Sequence, residues 1–273
     1  MTARPIIALL SDFGVSDWFV GSMKAAILSR AAECAVVDLC HTVEPGDVRQ
    51  AAWILERTFQ DFPPATVFCA VVDPGVGTER RAIVASGGGY VFVAPDNGLL
   101  TAVRRRVRDW ECRVIENDRW MRPSVSRTFH GRDIFAPAAA QAAIEGAIEH
   151  AGEPITNWVE IDLPGMVVAP NGDVEGTIIW FDRFGNAITT IERDRAGGAA
   201  VEPGWRVEIG RLTIERVSST FADGVPGEAV AYWGSLGTLE AAVRDGNARE
   251  RLKLRLGERV RLLNMASKVA PHL

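Results

Sequence analysis

Carboxylates and an imidazole stand where apolar runs of this sequence end in turns. Asp12 lies in Ser11-Asp12-Phe13-Gly14, and Asp73 opens Asp73-Pro74-Gly75-Val76-Gly77 ahead of Arg80-Arg81. Asp96 opens Asp96-Asn97-Gly98, and His130 lies in Phe129-His130-Gly131-Arg132-Asp133. A carboxylate can direct or accept a proton, and an imidazole can fix geometry or relay one. Each residue has an ordinary structural reading beside these. Asp before a helix caps it, and Asp-Pro-Gly or Asp-Asn-Gly makes a turn. Asp12, Asp73, Asp96 and His130 together would also suit a divalent cation, so metal-assisted hydrolysis stays open at this level. The other histidines lack motif context: His41 and His150 read as surface or capping residues, His272 as a tail residue.

The spacing predicts strands over residues 5–10, 34–39 and 66–72, with helices over 19–32 and 47–59 between them. A hairpin is expected to pair 82–86 with 90–93 across Gly87-Gly88-Gly89, and an alanine-rich helix to run over 134–150. Strands alternating with helices imply an N-terminal α/β domain over residues 1–162 with a largely parallel central sheet. Ligands bind beyond the carboxyl ends of such strands, where Asp12, Asp73 and Asp96 fall. Residues 163–172 read as a linker containing proline and glycine. Beyond it, β-branched runs at 177–180, 187–191, 205–209, 212–217, 229–233 and 259–263 imply a smaller all-β barrel domain over 173–273.

Composition narrows the function classes. With 273 residues, 47% hydrophobic and 24% charged, the chain can bury at least one sizeable core and is not a disordered polymer. Its net charge of −5 gives no basic footprint for nucleic acid. Residues 1–162 carry 16 basic and 21 acidic side chains, the remainder 14 of each, so the acidity sits in the half that would suit a cationic ligand. No apolar run approaches the ~18 residues of a membrane span, and the N-terminus shows no signal-peptide pattern. Cys34, Cys40, Cys69 and Cys112 never form a C-x-x-C pair, so reduced thiols in a cytoplasmic protein are expected. The dinucleotide, P-loop, zinc-protease and nucleophile-elbow patterns are all missing.

Read in order, several segments resemble one family across nearly the whole chain. They are Ser11-Asp12-Phe13-Gly14 with Val20-Gly21-Ser22-Met23-Lys24, Val72-Asp73-Pro74-Gly75-Val76-Gly77 with Arg80-Arg81, and Ala94-Pro95-Asp96-Asn97-Gly98-Leu99. Then come Thr128-Phe129-His130-Gly131-Arg132-Asp133, Asp182-Arg183-Phe184-Gly185-Asn186, and Ser235-Leu236-Gly237 with Gly246-Asn247-Ala248. The family is that of the S-adenosyl-L-methionine hydrolases, or SAM hydroxide adenosyltransferases, relatives of the bacterial fluorinase and chlorinase. The resemblance implies a homotrimer whose active sites lie between the N-terminal domain of one subunit and the C-terminal domain of the next. It implies conversion of S-adenosylmethionine and water to adenosine and L-methionine, with no cofactor and no metal. Family roles fall on Asp73, Arg80 and His130 as a water-activating trio. Asp12 would hold the ribose hydroxyls, Asn186 the adenine, Asp182 the methionine ammonium and Ser235 its carboxylate.

The halogenases carry Tyr at the position of Asp73 and Tyr-Ser in place of His130-Gly131, so the resemblance favours hydrolysis. Trp233-Gly234 ahead of Ser235, and Thr190 where Asn is usual, depart from the family pattern. Two other classes stay open: a SAM- or adenosine-binding module without turnover, and a metal-dependent hydrolase using the same carboxylates. Trp18, Phe129 and Phe184 read more readily as core than as an adenosine pocket.

Attack at the 5′ carbon of a sulfonium expels a neutral thioether, so the demand falls on the nucleophile and no general acid is required. Lowering the pKa of water from ~15.7 to ~7 would take about 12 kcal/mol, a scale that a metal supplies and one Arg with one His does not. The expectation is therefore a water that is oriented and loses its proton during attack. Positioned acid–base groups contribute ~10²–10⁴-fold, and orientation of reactants roughly 7–11 kcal/mol.

Overall fold

Apolar runs form the parallel strands of the N-terminal unit, and those inside the sheet are covered on both faces. The computed structural model describes residues 4–197 and 204–265, in two units, Met1–Leu163 and Pro164–Leu273. In the first, β1 (Ile6–Ser11), α1 (Phe19–Leu28), β2 (Ala35–Cys40), α2 (Val48–Thr58) and β3 (Val67–Val71) alternate as expected. They are followed by β4 (Ala82–Gly87), β5 (Tyr90–Pro95), α3 (Thr101–Arg106), β6 (Glu111–Val114) and α4 (Ala136–Glu145). The sheet order is β2-β1-β3-β5-β4-β6. Strands β2, β1, β3 and β5 run parallel, and β4 lies antiparallel between β5 and β6. Asp47 caps α2 by accepting the Gln50 N–H at 2.9 Å. The buried alanines of α4 let that helix lie close against β3, β1 and β5.

Several boundaries differ from the sequence expectation for local reasons. Helix α1 stops at Leu28, because the Ile27 carbonyl takes both the Arg30 and Ala31 amides and tightens the last turn. The alanine-rich helix is preceded by a π turn at Gly131–Phe135 and ends where Gly146 enters the left-handed region at φ 66°. Strand β6 is four residues long and half charged, too weak a pattern to be seen. His41, expected at the surface, is buried at 5% exposure, with Ser11 Oγ 2.7 Å from its Nδ1 and Asp38 Oδ1 3.0 Å from its Nε2.

The second unit holds β7 (Val167–Val168), β8 (Val174–Phe181), β9 (Ala187–Glu192), β10 (Trp205–Ile209), β11 (Leu212–Ile214) and β12 (Val217–Ser218). It continues with β13 (Ala229–Trp233), β14 (Thr238–Val243), the short helix α5 (Ala248–Arg251) and β15 (Arg259–Asn264). Its sheet runs β11-β10-β15-β8-β9-β14-β13-β12, with β7 on β8. Contacts of β10 with β12 and of β11 with β13 bring the two ends together, giving the nearly closed barrel-like form. Part of the expected linker is thus strand β7, antiparallel to β8. Strand β14, Thr-Leu-Glu-Ala-Ala-Val, has few β-branched residues and owes its form to pairing on both sides, with β13 and β9.

Among the described residues no helix is long and apolar enough to cross a membrane. All four cysteines are free.

Trp120 is fully buried in the core of the first unit, and its indole N–H has no hydrogen-bond partner. Trp120→Ala should therefore cost about 3–5 kcal/mol in chemical denaturation. Trp120→Phe should cost much less, since only apolar packing is at stake.

Candidate active site

Asp73 follows β3 and opens a tight turn in which the Val76 amide donates to the Asp73 carbonyl at 3.2 Å and the Thr78 amide to the Gly75 carbonyl at 3.1 Å. The turn returns Arg80 to its own beginning. Arg80 Nε donates to Asp73 Oδ1 at 2.9 Å and to Oδ2 at 3.1 Å, and Nη2 also reaches Oδ2. The same Nη2 lies 2.7 Å from His130 Nδ1. Both ion-paired side chains are shielded, Arg80 at 10% and Asp73 at 5% exposure, and the Phe135 ring lies 5.0 Å beneath the guanidinium carbon. The structure thus brings together the three residues on which the expected trio fell.

Glycine geometry makes this approach possible. Gly77 sits at φ 79°, and a Cβ there would come within 2.6 Å of the Arg127 carbonyl oxygen. The 73–77 turn therefore rests directly on the backbone leading to His130. Gly131 packs against the Phe13 and Phe129 rings, where a Cβ would sit 3.2 Å from each. Asp133, fully buried, anchors the other side of the π turn. Its Oδ1 accepts from Arg132 Nε at 2.7 Å, and its Oδ2 from Arg132 Nη2 and the Ser126 amide, both at 2.9 Å.

An arginine only donates, so His130 Nδ1 must accept from Arg80, which leaves the neutral imidazole with its proton on Nε2. Burial, with the Arg80 charge next, holds His130 below the usual imidazole range, against smaller opposing effects of Asp73 and Asp133. Relay of a proton through Nδ1 would require that bond to break, so the geometry suits His130 as a fixed Nε2–H donor.

Asp12 lies just beyond β1, and its Oδ2 accepts the Gly46 amide at 2.8 Å. Gly46 in turn packs beside Pro74, so Asp12 is held next to the Asp73 turn. Asp96 does not join the trio. It is buried and accepts from Arg81 Nε at 2.8 Å and from the Val159 amide at 2.7 Å, which makes it a structural tie for the 157–159 segment. Its neighbour Asn97 donates to the Val72 carbonyl at 2.8 Å and braces the end of β3. Among the described residues, no three His, Cys, Asp or Glu side chains group as metal ligands would.

In the second unit, Asp182 and Asn186 lock one another. Asp182 Oδ1 accepts the Phe184 and Asn186 amides at 2.9 and 2.8 Å, and Oδ2 accepts Asn186 Nδ2 at 2.8 Å. Ser235 is exposed in the turn between β13 and β14. Glu240, which sequence reasoning missed, is buried at 8% exposure directly opposite Tyr232 in the β13–β14 register. Burial raises its pKa, and the Asp182 charge adds to the rise. Gly234 leaves room for that carboxylate, since a Cβ there would strike Glu240 Oε1. Thr190, unusual for its position, is buried and bonds to the Gly165 carbonyl and the Thr177 amide. Trp18 and Phe184, read as core, are instead 69% and 75% exposed, whereas Phe129 is buried.

Residues 7–152 match the SAM hydroxide adenosyltransferase N-terminal domain, and residues 176–261 match the C-terminal domain of the same family. An (R)-S-adenosyl-L-methionine hydrolase of Thermus thermophilus is 42% identical over 95% of this chain and 100% of its own length. One from Salinispora tropica is 36% identical over 96% and 99%. A fluorinase of Actinopolyspora mzabensis is 30% identical over 88% and 91%. Among solved structures, a Thermotoga maritima protein superposes with a TM-score of 0.86 at 37% identity, covering 94% of this chain and 100% of that one.

The His130 environment makes a direct prediction. Followed by NMR, its imidazole should titrate below the ordinary 6.5, and Arg80→Ala should move the midpoint upward. A wild-type midpoint at or above that value would contradict the arrangement.

Proposed function

The chain belongs to the SAM hydroxide adenosyltransferase family, and from that premise we propose that it hydrolyses S-adenosyl-L-methionine to adenosine and L-methionine. The observation that carries the reading is the shared Arg80 guanidinium, which fixes a carboxylate and a neutral imidazole side by side. Asp73 accepts or directs the proton of the attacking water. His130 offers its Nε2–H to orient that water, and Arg80 balances the negative charge that develops on oxygen at the ribose 5′ carbon. The thioether leaves neutral, so the trio needs no acid partner. A fluoride-type nucleophile has no proton to lose, and the charged Asp73 would repel it.

The substrate-binding roles belong to the same reading. Asp12 keeps one oxygen free of the Gly46 amide for the ribose diol. Asn186 is assigned to the adenine and Ser235 to the methionine carboxylate. Asp182 is assigned to the ammonium, and its two hydrogen-bonded oxygens keep it fixed for that task. The residues so assigned fall in both units, and the assembly implied by the resemblance is a homotrimer with active sites shared by neighbouring subunits. Free thiols at all four cysteines suit a reducing compartment, the cytoplasm.

Chelator-treated protein supplied with separate sulfonium epimers should yield adenosine and methionine in equal amounts. Both epimers belong in the assay because the relatives' names specify (R). Binding without products would overturn the hydrolase reading, as would activity that appears only on addition of a divalent metal. Asp73→Asn should keep substrate affinity while turnover falls by about 10²–10⁴-fold. For Asp12, the 2′-deoxy substrate should bind less well than S-adenosylmethionine in the wild type, and Asp12→Ala should erase most of that difference. An equal penalty in both proteins would remove Asp12 from the ribose.

A further inference from the structure

A second concavity of the N-terminal unit carries more positive charge than its own carboxylates balance. Arg30, Arg122 and Arg132, with Ser22, Ala25 and Ser29 of the α1 segment, bound a space of about 350 Å³. Among the described residues, the carboxylate paired with these guanidiniums is Asp133, which meets Arg132 and Arg122, and it is already engaged. Arg132 forks onto it with bonds of 2.7 and 2.9 Å, and the Ser126 amide takes a further place on Oδ2. Arg122 only approaches it, at 3.5 Å. Arg30 spends Nη1 and Nη2 on the carbonyls of Arg119 and Met121, neutral acceptors that leave its charge unbalanced.

The three cations and one anion leave the concavity with two positive charges. Burial, together with the Arg122 charge, holds Arg30 below its usual range, as repulsion between neighbouring cations in a partly shielded site requires. The C-terminal end of α1 does little to offset this charge. Its Ala25 and Ile27 carbonyls are taken by backbone amides and the Ala26 carbonyl by the Ser29 hydroxyl. Arg122 and Arg132 keep side-chain exposures of 47% and 36%, so an ion can reach them from solvent.

We propose that this concavity binds a phosphate-type oxyanion, free or carried by a nucleotide, with Arg30 and Arg122 as its principal ligands. A doubly charged tetrahedral anion matches the excess charge, and guanidinium forks match paired phosphate oxygens. The volume exceeds what one phosphate needs, so pyrophosphate is the better probe. The proposal is independent of the hydrolase reading, since none of the trio or the substrate-binding residues lines this space.

Calorimetry on the full chain at low ionic strength, with chloride as the background anion, tests it. Pyrophosphate should bind once per chain, more tightly than inorganic phosphate, and the affinity should fall as salt rises. Arg122→Gln and Ala25→Glu should each weaken binding by at least about tenfold, or ~1.4 kcal/mol. Ala25 is exposed, and replacing it breaks no hydrogen bond in the structure while placing a carboxylate in the concavity, so that variant stays informative even if Arg122→Gln disturbs the fold. Uridine diphosphate separates the sources while keeping adenine out of the other site. Tighter binding than pyrophosphate identifies a nucleotide, and equal binding identifies the free anion. No binding of millimolar pyrophosphate would overturn the proposal, as would binding unchanged in both variants.

Discussion

The Arg80 guanidinium presents its donors in a rigid planar fork, and it divides them between Asp73, seven residues before it, and His130, fifty residues after it. Much of the first unit can be read as what this sharing requires. The 73–77 turn must fold back so that residue 80 meets residue 73, and it must lie flat against Arg127, which is why position 77 has no side chain. The π turn that carries His130 must be held from behind, which Asp133 does with three donated hydrogen bonds from Arg132 and Ser126. Phe135 closes the apolar face of the guanidinium, and the low exposure of the Asp73–Arg80 pair strengthens their mutual attraction relative to water. A buried ion pair of this kind is weak evidence for stability. Its worth here is in geometry and in the tautomer it imposes on the imidazole.

Charge is placed locally in both units. A carboxylate in the first unit holds one oxygen in reserve beside the Asp73 turn, and in the second Asp182 stands near the buried Glu240. The raised pKa of Glu240 follows from burial and from its like-charged neighbour, an arrangement that a cationic group on a ligand would relieve. The acidity noted in the sequence lies in residues 1–162, so the Asp182–Glu240 arrangement in the charge-balanced second half is a local feature that net charge does not show.

Much of this was legible in the sequence, and the failures have physical causes. The alternating β1, α1, β2, α2 and β3 stand out because short apolar runs alternate with amphipathic helical spacing, a signal that survives even in the half-exposed edge strand β2, as does the 82–95 hairpin around Gly87-Gly88-Gly89. Strands β6 and β14 did not, since a short or alanine-rich strand takes its form from its neighbours. Asp73 and His130 could be singled out by residue type and turn context, whereas Arg80 entered only through the family resemblance; their convergence depends on Gly77 and the π turn, which sequence spacing does not reveal. Asp96 looked equivalent to Asp73 and is a structural tie, because its partner Arg81 and the Val159 amide come from segments no pattern links to it. His41 and Glu240 were missed for the same reason: their burial is a tertiary fact.

The central claim is that one planar guanidinium must serve both Asp73 and His130, and Arg80→Lys tests it most directly. A lysine keeps the charge but is a single ammonium that cannot reproduce the fork. Calorimetric affinity for S-adenosylmethionine should then stay near the wild-type value, while the rate of adenosine formation falls by at least about a hundredfold. Adenosine formed by the lysine variant at the wild-type rate would contradict the account, because charge alone would then suffice and the shared geometry would be incidental.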